Sequence, residues 1–333
     1  ISKQYPGVQA LDNVSIDFME GEVHCLVGEN GAGKSTFIKM ISGADQPDSG
    51  VISFEGKEYN AMTPKLSKDL GIEVVYQEFN LAEDLTVAEN MYLGEQHADS
   101  KLFNLKKLKK RADEVFKKMN IEIDTGEIVK YLTVSYMQFV EIGKALAKDI
   151  KVLILDEPTS QLDPIAASDF LGTVKKINRD LGTTILLTEH RLEEVFPAAD
   201  RVVVMEGGEV LCMGTPEEIG EELKKQNHEM FLAMPVPMQI YAKVNSGKHM
   251  ECPITVRDGR NWLNAICKEK QIRPQEAEFF GKDAKEKLAK EEIILEAKDI
   301  WFRYDKDQPD VVKGLNLSLK RGEFFALLGG NGT

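Results

Sequence analysis

A glycine-rich segment near the start of the chain has the residue types that hold phosphate groups. Residues 28–36 read Gly-Glu-Asn-Gly-Ala-Gly-Lys-Ser-Thr, and they lie between an apolar run at 23–27 and a helical pattern at 37–41. A loop between a strand and a helix can turn successive main-chain amides towards phosphate oxygens. Lys34 is then placed to reach the β and γ phosphates, and the Ser35 hydroxyl is placed to ligate magnesium. The predicted phosphate-binding residues are Gly28, Asn30, Gly31, Ala32, Gly33, Lys34, Ser35 and Thr36.

Two carboxylates follow a second apolar run. Residues 152–155 are Val-Leu-Ile-Leu, and Asp156 and Glu157 come directly after them. Ligands of open α/β sheets bind at the carboxyl ends of the strands, so both acids are expected near the phosphate loop. Asp156 is predicted to hold magnesium, directly or through water, and Glu157 to polarise the water that attacks the γ phosphate. With Lys34 as the catalytic cation, this set predicts hydrolysis of a nucleoside triphosphate.

A histidine follows a third run of the same kind. Residues 183–187 are strand-like, and Thr188, Glu189 and His190 come after them, which brings His190 to the same edge of the sheet. Because histidine serves many purposes, this position alone assigns it no role.

A parallel sheet is needed to bring these residues together. Strand-like runs at 23–27, 152–155, 184–187 and 202–205 alternate with helical patterns, which is typical of an α/β domain. One predicted helix has an apolar face and a basic remainder, and we interpret the basic part as its solvated side. The apolar face consists of Leu108, Ala112, Val115, Phe116 and Met119.

The composition is that of an ordinary globular protein. Hydrophobic residues make up 42% of the chain and charged residues 29%, which excludes disordered and fibrous classes. The net charge of -13 disfavours sequence-independent binding to nucleic acid, so no nucleic-acid partner is expected. The four cysteines form no CxxC pair, so neither a zinc cluster nor a disulfide framework is indicated. No stretch approaches the roughly 20 apolar residues of a membrane helix.

The chain contains the beginning of an internal repeat. Residues 26–31, 1–5 and 14–16 correspond to residues 327–332, 300–304 and 315–317. Between the copies, prolines and a charged stretch indicate a linker with helices. We predict a first domain at 1–225, a linker at 226–292 and the truncated start of a second domain at 293–333. The chain begins without methionine and stops within a motif, so we expect it to be part of something longer.

The motifs, in this order, resemble the ATPase of ABC transporters over roughly residues 1–220 and again from about 293. They are the phosphate loop, Gln77 in Tyr76-Gln77-Glu78, a signature segment near 132–138, Asp156-Glu157, Ser160 to Asp163, and His190. The resemblance implies a P-loop NTPase fold, that is, an ABC cassette with a mixed sheet core, a helical subdomain at about 80–148 and an antiparallel β-subdomain. It also implies ATP and Mg²⁺ as cofactors.

The resemblance gives further residues a role. Tyr5 is expected to stack on adenine, and His190 to contact the γ phosphate. Gln77 is expected to contact magnesium and to sense a membrane partner. Asp163 belongs to a loop that faces a second cassette.

The signature segment departs from the family pattern. Leu132-Thr133-Val134-Ser135-Tyr136 stands where Leu-Ser-Gly-Gly-Gln, or Leu-Ser-Val-Gly-Gln, is usual. Thr133 keeps a hydroxyl for the nucleotide of the opposing subunit. Ser135 replaces a glycine at a point of close approach to the γ phosphate, so we expect weaker closure of that site.

Different parts of the sequence resemble different branches of the family. Residues 5–11 and 139–146 resemble the ATPases of ribose and galactose importers, whereas residues 156–196 and the linker resemble energy-coupling-factor ATPases for vitamins or metal ions. Both branches imply an importer subunit that binds membrane permease subunits at the cytoplasmic face of the cell membrane. The solute stays open between a sugar, a vitamin and a metal ion.

ABC sites form between two cassettes, so a second cassette, in the same chain or in a dimer, is an expected partner. The second copy ends before any Gly-Lys-Ser/Thr, and we expect ATP binding with slow or absent turnover. One alternative is a ribosome-associated translation factor with tandem cassettes. That class of protein is expected to have a long basic helix between its domains. The other is a catalytically impaired regulatory cassette, which the signature favours and Glu157 and His190 disfavour.

Overall fold

The computed structural model describes residues 1–94, 105–244, 252–269, 292–303, 306 and 310–327. Tyr304 and residues 328–333, on which the predicted repeat partly rests, lie outside the described residues, as do parts of the predicted linker. The chain divides into two compact units, Ile1–Ile266 and Cys267–Thr333.

The first unit contains ten strands among its described residues. In chain order they are β1 (Lys3–Tyr5), β2 (Val8–Leu11), β3 (Val23–Gly28), β4 (Ile52–Phe54), β5 (Lys57–Tyr59), β6 (Ile72–Val75), β7 (Val152–Asp156), β8 (Thr184–Thr188), β9 (Arg201–Glu206) and β10 (Glu209–Gly214). Six of them form one sheet in the order β10-β9-β3-β8-β7-β6. β10 is antiparallel to β9 and the other neighbours are parallel, which confirms the predicted mixed sheet.

Ten α-helices occur among the described residues, and several of them pack on this sheet. The α-helices among the described residues are α1 (Lys34–Ser42), α2 (Pro64–Asp69), α3 (Val87–Met91), α4 (Leu105–Met119), α5 (Val134–Leu146), α6 (Pro164–Leu181), α7 (Leu192–Val195), α8 (Pro216–Lys225), α9 (Val236–Lys243) and α10 (Val256–Glu269). None of them is both long enough and apolar enough to span a bilayer.

The sheet has a separate apolar cluster on each face. Alternate residues of β3 point to opposite sides, so Cys25 and Val27 join the larger cluster while Leu26 joins the smaller one. Because both faces are covered, β3 is buried at every residue. The larger cluster includes Leu108, Ala112, Phe116 and Met119 of α4, the apolar face predicted from the sequence.

The predicted antiparallel part consists of two separate two-stranded sheets. β1 pairs with β2, and β4 pairs with β5. Residues 12–13 form a bend after β2, and residues 14–19, which follow it, belong to neither sheet.

The first unit extends beyond residue 225, where we predicted the first domain to end. Tyr241 of α9 and Trp262 of α10 are in ring contact, with their centroids 5.3 Å apart. Met234 and Met238 are buried in the larger cluster of the sheet. The described residues of this stretch, 226–244 and 252–266, are therefore packed as part of this unit.

The second unit contains an antiparallel pair, β11 (Ile293–Phe302) and β12 (Val312–Lys320). Ile300 lies opposite Leu315, Ala297 opposite Leu317 and Leu295 opposite Leu319.

Candidate functional site

The glycine-rich segment forms a tight loop between β3 and α1. Gly31 and Gly33 have φ angles of 86° and 103°, which side chains rarely allow. A β-carbon on Gly33 would also lie 2.6 Å from the carbonyl oxygen of Ala10. The loop geometry therefore requires glycine at these positions, and it leaves the amino end of α1 facing the loop.

Lys34 is folded into this loop. Its Nζ donates to the carbonyl oxygens of Gly28, at 2.7 Å, and Glu29, at 3.0 Å, and the residue is only 5% exposed. Burial lowers the pKa of Lys34, while the negative charges of Glu157 and Asp156 act in the opposite direction. The ammonium group thus lies within the field of both predicted acids and can exchange carbonyl oxygens for phosphate oxygens.

Asp156 lies at the carboxyl end of β7, opposite Thr188 of β8. The Thr188 hydroxyl donates to Asp156 Oδ1 at 2.8 Å. Burial raises the pKa of Asp156, and the hydrogen bond from Thr188 partly offsets that effect. The carboxylate is therefore held in place, and a cation at this point would stabilise its charge.

Glu157 and His190 are paired. His190 Nε2 and Glu157 Oε1 are 2.7 Å apart. Glu157 has a φ of 47°, unusual for a residue with a side chain, and its N–H donates to Thr188 Oγ1 at 2.9 Å. The end of β8 thus positions both acids, and the histidine that follows it contacts one of them.

Glu189 is a residue of this region that sequence reasoning did not single out. It is 2% exposed, its Oε1 accepts the Thr159 N–H at 2.8 Å, and burial raises its pKa. The Glu189 side chain thus connects the loop after Glu157 to the end of β8, next to His190. Polar residues at the end of a fully buried strand, or directly after it, need partners, and that requirement is the sequence signal for Thr188 and Glu189.

Gln77 and Asp163 lie on loops beside this edge. Gln77 follows β6 and is exposed, and its carbonyl oxygen accepts from Gln161 Nε2 at 3.3 Å. Asp163 caps α6, because its Oδ1 accepts the N–H groups of Ile165 and Ala166.

In the part of the chain that the structure describes, Tyr5, Thr133 and Ser135 make no hydrogen bond to the phosphate loop. Thr133 and Ser135 are predicted to contact the nucleotide of an opposing cassette and not this loop. Tyr5 donates to Asp45 at 2.7 Å, and this bond contributes most to lowering the pKa of Asp45 to about 2. Thr133 is exposed at the start of α5 and makes no side-chain capping bond.

The donor set fits magnesium shared with a phosphate ligand. Ser35 supplies an exposed hydroxyl after Lys34, and Asp156 a buried carboxylate. Magnesium takes oxygen ligands, commonly one or two from carboxylates and the rest from water and phosphate. No group of three or more His, Cys, Asp or Glu residues that could hold a metal ion occurs among the described residues.

The chain is similar in sequence to ATP-binding proteins of ABC transporters. Residues 11–160 match the family model described as ABC transporter. A ribose import ATP-binding protein of Rubrobacter xylanophilus is 40% identical over 221 residues, which are 66% of this chain and 44% of that protein. A xylose import ATP-binding protein of Geobacillus kaustophilus is 42% identical over 227 residues, 67% of this chain and 44% of that protein. The chain thus spans less than half the length of these curated relatives.

Solved structures of the same kind share the fold. A nucleotide-free ATP-binding cassette from an ABC transporter superposes with a TM-score of 0.60 at 26% identity, covering 74% of this chain and 97% of that one. A dimeric cassette in a post-hydrolysis state, bound to ADP and Pi, gives 0.55 at 26% identity, covering 65% and 95%.

Proposed function

We propose that the chain carries an ABC transporter ATPase cassette, and that it binds Mg-ATP and hydrolyses it as the ATP-binding subunit of an importer. One observation supports this most: Lys34 lies in the field of Asp156 and Glu157, and Glu157 contacts His190. A phosphate-binding loop, two acids and a histidine meet where parallel strands end, as hydrolysis of a triphosphate requires.

We assign the residues as follows. The loop amides of residues 28–36 and Lys34 bind the phosphates, and Tyr5 stacks on adenine. Ser35, Asp156 and Gln77 hold Mg²⁺, which would neutralise charge on the phosphate oxygens when bound. Thr133 and Ser135 contact the nucleotide of an opposing cassette, and Asp163 faces that cassette.

Glu157 and His190 would carry the hydrolytic step. Glu157 accepts the proton of the attacking water, and its positive φ keeps the carboxylate at the sheet edge. His190 holds Glu157 in the absence of nucleotide and turns to the γ phosphate when nucleotide binds.

The names of the relatives support sugar import. Both aligned relatives are import ATP-binding proteins, for ribose and for xylose, and we propose a pentose or related sugar as the solute. By the same argument the partners are membrane permease subunits, contacted from the cytoplasmic face. The second unit would start a second cassette of the energy-coupling-factor branch or of the sugar branch. The import ATP-binding proteins among the relatives favour import over a ribosomal role.

Substitution of the proposed base tests the hydrolytic step. Glu157→Gln keeps the size of the side chain but cannot accept the proton, so phosphate release should fall by about 100-fold or more. ATP binding, followed by equilibrium dialysis, should persist. Glu193→Gln alters an exposed carboxylate three residues beyond His190 and should leave phosphate release unchanged. Equal rates in the two variants would refute the assignment of Glu157.

A further inference from the structure

An aspartate in the loop after α1 binds two side chains of β1. Tyr5 donates its hydroxyl to Asp45 Oδ2 at 2.7 Å, and Lys3 Nζ donates to Asp45 Oδ1 at 3.1 Å. The N–H of Gln46 also donates to Asp45 Oδ1, at 2.7 Å. Lys3 and Tyr5 are two residues apart on one strand, so they lie on the same face and reach the same carboxylate. Both oxygens of Asp45 are thus used to hold its neighbours.

The ring of Tyr5 has a cation on one side. Lys3 Nζ lies over the ring, 5.3 Å from its centroid, which is within the range of attraction between an ammonium group and an aromatic face. The same ammonium group donates to the main-chain carbonyl oxygen of Gln46 at 2.7 Å, and the Lys3 side chain is only 12% exposed. Tyr5 itself is partly exposed. A planar ligand can therefore stack on the Tyr5 ring only on the side away from Lys3.

Asp45 is anchored to the helix that starts at the phosphate loop. Its N–H donates to the carbonyl oxygen of Lys39, in the last turn of α1, at 3.2 Å. α1 begins at Lys34 and has 9 residues, so its length is about 13 Å. The phosphate loop and Asp45 thus lie at opposite ends of one short helix. A rigid element therefore links the proposed phosphate ligand Lys34 to the carboxylate that holds Tyr5.

The pairing of β1 with β2 brings Tyr5 close to the phosphate loop. Ala10 of β2 lies against this loop, because a β-carbon on Gly33 would be 2.6 Å from the Ala10 carbonyl oxygen. Tyr5 lies opposite Val8, which is two residues before Ala10, or about 7 Å along a strand. Tyr5 is therefore within reach of the base of a nucleotide whose phosphates bind at Lys34.

We propose that Asp45 is a positioning residue for the nucleotide base. It holds the Tyr5 hydroxyl and the Lys3 ammonium group together, so that the Tyr5 ring is fixed with one face open before the base arrives. A ring that is already ordered loses less side-chain entropy when a ligand binds. This inference rests on the proposed function, in which Tyr5 stacks on adenine. It adds that the ring binds the base well only while the Tyr5 hydroxyl is bound to Asp45.

Tyr5→Phe tests this, because phenylalanine keeps the aromatic ring and loses the bond to Asp45. Titration calorimetry measures the binding of Mg-ATP and of magnesium tripolyphosphate, which has no base. The dissociation constant of Mg-ATP should rise by about 5-fold, whereas that of tripolyphosphate should stay as in the wild type. Asp45→Ala should give the same pattern. The double variant should bind Mg-ATP as Asp45→Ala does, since both substitutions remove the same bond.

The matched control is Asp48→Ala. Asp48 also lies in the loop after α1 and also holds β1, because its Oδ2 accepts the N–H of Gln4 at 2.6 Å and its Oδ1 is 3.6 Å from Lys3 Nζ. The Tyr5 hydroxyl donates to Asp45 and is kept in this variant. Asp48→Ala should therefore bind Mg-ATP as the wild type does. A loss equal to that of Asp45→Ala would show that any loosening of β1 is enough, which contradicts the proposal.

The remaining outcomes separate this inference from the proposed function. Tyr5→Phe with the Mg-ATP affinity of the wild type overturns the inference alone, and this variant decides the matter if Asp45→Ala does not fold. Equal weakening of both ligands in Asp45→Ala, or losses that add up in the double variant, also overturn it. If the wild type binds neither ligand, the proposed function is wrong and the inference falls with it.

Discussion

At the scale of single residues, Thr188 connects the two acids. Its hydroxyl donates to Asp156 and accepts the N–H of Glu157, so one buried group fixes a carboxylate and the turn after it. Buried polar groups cost free energy when their partners are removed. The position of Thr188 therefore matters both for stability and for the geometry of the proposed metal ligand.

Thr188→Val preserves the shape of the side chain and removes both hydrogen bonds. The free energy of unfolding should fall by about 1–3 kcal/mol, because two buried groups lose their partner. Urea denaturation measures this. The control is Thr173→Val on α6. The Thr173 hydroxyl donates to the Asp169 carbonyl oxygen at an exposed position, so this change should alter stability by about 0.5 kcal/mol or less. Equal losses in both variants would contradict the role given to Thr188.

At this scale the sequence predicts which candidate residues lie at the ends of apolar runs, but it does not predict the hydrogen bonds that support them. The loop at 28–36 and the acids at 156 and 157 follow from local pattern, since each lies at the end of an apolar run. The bonds of Thr188 depend on the register between β7 and β8, which joins residues 32 positions apart. The hydrogen bond from Tyr5 to Asp45 joins residues 40 positions apart and likewise depends on tertiary structure rather than local pattern.

At the scale of elements, the start of β3 contains a buried histidine that holds the preceding turn. His24 is fully buried, and its Nε2 accepts the Met19 N–H at 3.0 Å. Phe18 packs edge-on against its ring. Burial lowers the pKa of His24 below its usual value of 6.5, although Met19 and the charge of Glu22 act to raise it.

Stability should therefore depend on pH through His24. The unfolded chain protonates His24 at a higher pH than the folded chain does. The contribution of neutral His24 to stability is therefore complete above about pH 6.5, and it is lost as the pH falls from there through the lowered pKa of the folded state. In His24→Gln an amide oxygen can still accept the Met19 N–H without titrating. The difference in unfolding free energy between wild type and variant should change between pH 7 and 5. A constant difference over this range would contradict the account.

The elements themselves followed well from the sequence, and the unit boundary did not. β3, β7 and β8 begin and end within a residue or two of the predicted runs, because each run is apolar and short. The predicted boundary at 225 rests on a change in composition. Whether α9 and α10 pack on the first unit depends on contacts such as Tyr241 with Trp262, which no local pattern reveals.

At the scale of the whole molecule, we propose that a second cassette completes the site. Ser135 is partly exposed near the start of α5, and under this proposal its side chain faces the nucleotide of the opposing cassette. Glycine there would allow closer approach of the main chain.

Ser135→Gly should raise ATP hydrolysis per chain several-fold at low protein concentration, because closure between cassettes becomes easier. Ser135→Ala is the matched control, since it removes the hydroxyl but keeps the β-carbon, and it should give no such gain. Phosphate release measured over a range of protein concentrations compares them. Identical rates for the two variants would contradict the steric role of Ser135.

The most direct test of the central claim is thermal unfolding with and without millimolar Mg-ATP. A ligand that binds only the folded state adds about 2.7 kcal/mol at 100 times its dissociation constant, so the melting temperature of the wild type should rise by several degrees. Lys34→Ala should lose this rise, whereas Lys65→Ala, an exposed lysine of α2, should keep it. A wild-type chain that melts at the same temperature with and without Mg-ATP would contradict the account.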